Sequence, residues 1–213
     1  MAATYRTVVS TTGTDDTAEG STAGITDGDI MIAFLNHSSS SATMLTTPTD
    51  TWDLVEADPN PADFSCLCYK RVKQPGDSAT PTWTWSVAGS WTVDIIAYSG
   101  QDTTTPLDDT SSVQQAAVNT VTTTSVVPTV TDCVAVWWAS TDATGTARTW
   151  TQNGTPTERV DRLDNGHHRC IAEEVISTSG SGITRTATAA AALVAAPAIA
   201  QQYPAKSIRL IVP

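Results

Sequence analysis

Basic residues are in short supply: 11 Lys and Arg stand against 22 Asp and Glu in 213 residues, giving a net charge of −11 and a pI near 4.4. A surface that neutralises phosphates needs clustered Lys and Arg, so a nucleic-acid partner is not expected. Cysteine is limited to Cys66, Cys68, Cys133 and Cys170, with no C-x-x-C and no His at zinc-finger spacing. Neither a disulfide framework nor a structural zinc module fits that arrangement. Cys66 and Cys68 share one face of an alternating strand and read as reduced core thiols. The longest apolar run, residues 187–200, is interrupted by Thr188 and Pro197. It falls short of the roughly 20 residues that span a bilayer, so no membrane partner is expected. The first 20 residues lack the apolar stretch of a signal peptide and carry Asp15, Asp16 and Glu19, which argues against secretion by that route.

The chain is instead rich in hydroxyls. Its 38 Thr and 19 Ser exceed a quarter of all residues, and with Val they favour pleated strands over helices. A chain of this length buries roughly 70% of its unfolded surface and needs no disulfide or metal to hold a core.

One pattern runs through the sequence twice. Gly28-Asp29 leads into the apolar run Ile30 to Leu35, as Thr131-Asp132 leads into Cys133 to Trp138, at an offset of 103. Thr-Pro turns follow (Thr47-Pro48, Thr155-Pro156), and then Cys66 to Val72 is matched by Cys170 to Ile176 at an offset of 104. Each half offers about four strands punctuated by Gly, Pro, Asp and Ser. The expected fold is an all-β, jelly-roll-like two-sheet sandwich built from two pseudo-repeated halves, residues 28–100 and 131–200, in one domain spanning 1–202. Asn165-Gly166 reads as a type I′ hairpin turn. Segments 111–117 and 121–127 read as strands linking the halves. Residues 187–202 are rich in Ala and by propensity helical, but their repeat position and Pro197 argue for strand.

No motif carries a reaction. His37 and the pair His167-His168 read as solvated loop residues, no Ser lies in a G-x-S-x-G elbow, and the acids cluster at turns, where Asp caps backbone donors. No D-x-D-x-D-G calcium loop occurs. The chain is therefore expected to be no enzyme and to need no cofactor or metal. Of the seven Trp, Trp83, Trp85, Trp91 and Trp137 fall at core positions, whereas Trp138 and Trp150 are the candidates for exposed rings that stack on a glycan or a partner. Residues 203–213 form a basic exception to the acidic chain. Lys206 and the alternation Ile208, Arg209, Leu210, Ile211, Val212 suit either strand addition on a neighbour or a closing strand of the same sandwich.

Gly28-Asp29 with its apolar run, the turn leading to Trp52-Asp53-Leu54-Val55, the strand Cys68-Tyr69-Lys70, and Ile96-Ala97-Tyr98-Ser99-Gly100 followed by Thr105-Pro106-Leu107-Asp108 together resemble β-sandwich proteins encoded among the virion genes of tailed bacteriophages. The resemblance covers roughly residues 28–200 and implies a head-decoration or minor tail protein, built in the host cytoplasm. It implies the major capsid protein or tail proteins as partners, and a homo-oligomer such as a trimer on the capsid exterior. A minor tail or fibre protein that recognises a host glycan is the alternative.

Overall fold

A computed structural model describes residues 3–59, 65–102, 104–111, 118–122, 125–142, 150–152, 154–193, 198–201 and 208–210. The strands are β1 (Thr4–Gly13), β2 (Thr17–Glu19), β3 (Ile30–His37), β4 (Met44–Thr46), β5 (Asp53–Pro59), β6 (Ser65–Val72), β7 (Thr82–Trp85) and β8 (Trp91–Ser99) in the first half. The second half has β9 (Leu107–Ser111), β10 (Val118–Thr122), β11 (Cys133–Asp142), β12 (Trp150–Gln152), β13 (Thr157–Asp164), β14 (His167–Ile176), β15 (Thr186–Leu193) and β16 (Ala198–Gln201), and β17 (Ile208–Leu210) follows. The fold is all-β; no described residue is helical.

The duplication holds strand for strand. In the first half a large sheet runs β1-β8-β3-β6-β5 and a small one β2-β7-β4; in the second, β9-β16-β11-β14-β13 and β10-β15-β12 repeat both orders. The first strand of each half pairs with the eighth, the second with the seventh and the third with the sixth, like a long hairpin rolled up on itself. The fifth strand joins the sixth rather than the fourth. The repeat is therefore longer than its most apolar segments. It begins at β1 and again at β9, so the linking strands expected at 111–117 and 121–127 meet the opening strands of the second half only at Ser111, Val121 and Thr122; residues 112–117, 123 and 124 lie outside the described residues.

The structure also shifts both alignments of the halves by one residue: β3 matches β11 at an offset of 104, and β6 matches β14 at 103, so Cys66 corresponds to Arg169 rather than Cys170. Gly28 (φ 87°) and Asp132 (φ 59°) occupy the same left-handed turn, an offset of 104 where the sequence comparison used 103. Strands alternate faces, so a slip of one residue exchanges inside for outside along the whole strand. The corrected offset pairs Phe34 with Trp138, and these two rings stack on each other at 4.8 Å where the large sheets meet.

Four layers result. The small sheet of the first half covers one face of its large sheet, with Trp83 and Trp85 packed among Met31, Ala33, Leu35, Leu67, Val93 and Ile95. The other face, carrying Ile30, Ile32, Phe34, Cys66, Cys68, Ile96 and Tyr98, packs against Val136, Trp138 and Ile171 of the second large sheet. Arg185, just before β15, reaches Glu174 and the Trp137 ring on the far side of that sheet. β3, β8 and the start of β6 are covered on both faces, which is why their sequences read as nearly continuous apolar runs.

Asn165 (φ 49°) and Gly166 (φ 81°) form the hairpin turn between β13 and β14. The Ala-rich segment is extended in β15 and β16, because the sheets supply pairing partners that outweigh the helix propensity of alanine. The C-terminal segment takes the closing-strand alternative: Ile208 and Arg209 pair in parallel with Val134 and Ala135 of β11, and β17 also meets β16 and Leu107 of β9. Ile208, Arg209 and Leu210 are thus strand residues of the chain's own sheet and do not form a free arm. Lys206, Ile211 and Val212 lie outside the described residues.

Candidate functional site

The densest polar chemistry lies between the large sheets, where β8 faces β14. Asp94 sits in the middle of an apolar strand because Arg169 projects from the opposite sheet to meet it, both side chains being 0% exposed. The guanidinium donates from Nε to Asp94 Oδ2 at 2.6 Å and from Nη2 to Asp94 Oδ1 at 3.3 Å, and Nη2 also reaches Asp164 Oδ2 at 3.2 Å. Burial works against the charge on Arg169, but Asp94 and Asp164 more than offset it, and its pKa is raised. Four residues further along both strands, the Tyr98 hydroxyl donates to Glu173 Oε2 at 2.5 Å. Burial, then the Glu173 charge, push the Tyr98 phenol well above its ordinary value. Glu173 also holds Arg159, whose guanidinium lies 3.8 Å from the centre of the Tyr5 ring. On β3, Asn36 donates to Thr92 Oγ1 at 2.9 Å and accepts from the Cys66 thiol at 3.2 Å. This seam joins the halves, and each of these side chains has a partner within the molecule, although Arg169 Nη1 and Arg159 Nε are buried without a hydrogen bond.

The three histidines are buried, which overturns the solvated-loop reading. His37 Nδ1 accepts from the Ser39 amide at 3.1 Å and its ring lies against Trp85. His168 Nε2 contacts Asp161 Oδ1 at 2.6 Å. His167 Nε2 lies 3.3 Å from the Ser90 carbonyl, and the pKa of this imidazole falls from 6.5 to about 4, chiefly through burial, with Arg169 and His37 adding to the shift. The unfolded chain takes up this proton near pH 6.5. The folded chain takes it up only near pH 4. Between those values the unfolded state binds more protons, so stability falls as pH is lowered through the window, by about 3 kcal/mol in full. Urea midpoints measured from pH 7 down to 4 are expected to track this decline, and His167→Asn is expected to flatten it.

The other expected positions separate. All four cysteines are buried, and Cys66 and Cys68 share a face as expected. Trp83, Trp85, Trp91 and Trp137 are core residues. Trp138, expected to be exposed, is 0% exposed and stacks on Phe34, so it offers no ring to a glycan or partner. The side chain of Trp150 lies outside the described residues. Among the described residues, no three His, Cys, Asp or Glu side chains converge on a metal position.

Among the described residues, three surface hollows hold little chemistry. One of about 500 Å³ is lined by Thr46, Thr47, Pro48, Ser78, Thr82 and Thr84 among other Thr and Pro residues, with no titratable group. A second, of about 320 Å³, contains the Arg185 and Glu174 pair. A third, of about 270 Å³, contains Lys70 and Asp53 at 3.7 Å, beside Arg71, whose guanidinium is held by Asp77.

The seam was missed in the sequence, although half of a signal existed: Asp94 is the single charged residue of the apolar strand β8, whereas Arg169 lies in a strand that also carries two His and two Glu. Comparison with family models, with curated proteins and with solved structures finds no match.

Proposed function

We propose that this protein is a non-enzymatic structural component of a tailed-phage virion. In this reading it is a head-decoration protein, made in the host cytoplasm, that binds the major capsid protein on the capsid exterior as an oligomer. The observation that carries the reading is where the polar chemistry goes: Asp94, Arg169, Asp164, Tyr98, Glu173 and Arg159 are consumed in holding two sandwiches back to back. That is the economy of a rigid body rather than of a catalyst. The acidic surplus keeps such a body off packaged DNA, and the sequence resemblance to virion β-sandwich proteins points the same way.

A protein that binds only the assembled lattice stabilises that lattice by mass action. The test is co-sedimentation of the purified chain with isolated heads and with isolated tails of the phage that encodes it, followed by heating of the loaded heads. Saturable binding to heads and a raised disruption temperature are expected. Binding to tails alone replaces this reading with the minor tail or fibre protein, and binding to neither overturns both. The burial of Trp138 leaves Trp150 as the one ring on which the glycan alternative was built.

A further inference from the structure

The edges of the large sheets are not alike. β5 carries Asp53, Glu56 and Asp58, has a bulge between Leu54 and Glu56, and ends on Pro59. β13 carries Glu158, Arg159, Asp161, Arg162 and Asp164 and has a bulge between Glu158 and Val160. β9 is five residues long and includes Asp108 and Asp109. Charge, bulges, proline and shortness are the devices that keep an edge strand from accepting another chain. β1 has none of them beyond its first turn. After an irregularity between Tyr5 and Thr7 it pairs with β8 in unbroken register to Gly13, and residues 7–13, Thr-Val-Val-Ser-Thr-Thr-Gly, carry no charge. Among the described residues no strand of the chain is hydrogen-bonded to its other edge, and a side chain reaches its end, where Asn165 Nδ2 donates to Gly13 O at 2.8 Å.

We infer that the free edge of β1 is a pairing surface for β1 of a second copy, running antiparallel across a twofold axis. In a chain of net charge −11, two copies repel wherever acidic faces meet, so self-association belongs where charge is absent or opposite. β1 provides both. Its neutral stretch is bounded by Arg6, which is half-exposed and contacts Asp29 through Nε, and at the other end by Asp15 and Asp16 in the turn to β2. Antiparallel pairing centred on Ser10 sets Thr7 opposite Gly13 and brings Arg6 of each copy abreast of residues 14–16 of the other. Parallel pairing would set like charges together. A twofold axis normal to the sheet requires opposed residues to share a face, which a centre on a single residue satisfies. The two five-stranded sheets become one sheet of ten. Nothing in this depends on the particle reading, and either can fail alone.

The test is sedimentation velocity of the intact chain at micromolar concentrations, with two variants. The parent chain is expected to be a dimer. Ser10→Lys sets two like charges opposite each other on the axis and is expected to give a monomer that keeps a cooperative thermal transition, a check required because Ser10 pairs with Asp94 in the β1–β8 register. Ser10→Cys is expected to form a disulfide-linked dimer on oxidation, since directly opposed residues lie about 4.5–5.5 Å apart at Cα, within disulfide range. The four native cysteines are buried, so the parent chain is the blank. A parent chain that is monomeric throughout, an oligomer that survives Ser10→Lys, or a Ser10→Cys chain that does not cross-link overturns the inference.

Discussion

Arg169→Met is expected to destabilise the protein by about 3–5 kcal/mol, because removing one partner of a buried pair strands the other charge without water. The stranded group here is Asp94, 0% exposed between the large sheets, whose two oxygens both accept from the guanidinium. Chemical denaturation followed by tryptophan fluorescence measures the loss. The companion experiment is the double substitution of Asp94→Leu with Arg169→Met. Replacing a buried pair by apolar residues of similar volume is often neutral, so the double variant is expected to be more stable than Arg169→Met alone. If the single and double variants lose the same amount, the pair is not acting as a unit. Asp164, which shares the guanidinium at 3.2 Å, is partly exposed and should contribute less.

Trp138→Ala is expected to cost about 3–5 kcal/mol, the range for deleting a large buried ring. The reason is its position: the indole is buried on β11 and stacks on Phe34 of β3, so its removal opens a cavity at the centre of the junction between halves. The same substitution separates two roles for this residue. An exposed ring used for binding would leave the melting temperature unmoved and abolish a ligand contact. A ring in the junction lowers the melting temperature, and Trp138→Phe should recover part of the loss by refilling the cavity.

Much of this architecture was legible in the chain itself. Thr and Val content pointed to strands, Asn165-Gly166 to a hairpin, and the spacing of Trp83 and Trp85 to one buried face. The repeat was visible because turns and apolar runs recur at nearly constant spacing. Its register was not. Apolar residues fill both faces of β3 and β11, so alternation could not say which of Met31 or Ile32 faces the other half, and an error of one residue went unopposed. The histidines were misjudged for a related reason. His37 ends a strand before Ser38, and His167 and His168 follow a turn, positions that look exposed along the chain and are buried by the layers stacked over them. The linking strands expected at 111–117 and 121–127 were misplaced because the partners of β9 and β10, β16 and β15, are roughly 70–90 residues away in sequence, where pattern alone carries no pairing information.

The sequence by itself determined the all-β class, the duplication, the reduced cysteines and the acidic surplus, because each rests on local propensity or on counting. Only the tertiary structure decided that the halves pack back to back, that Asp94 and Arg169 meet, that Trp138 is buried rather than offered to a ligand, and that residues 208–210 close their own sheet. These depend on which faces and edges meet, and the chain's local pattern is compatible with more than one answer until the layers are stacked.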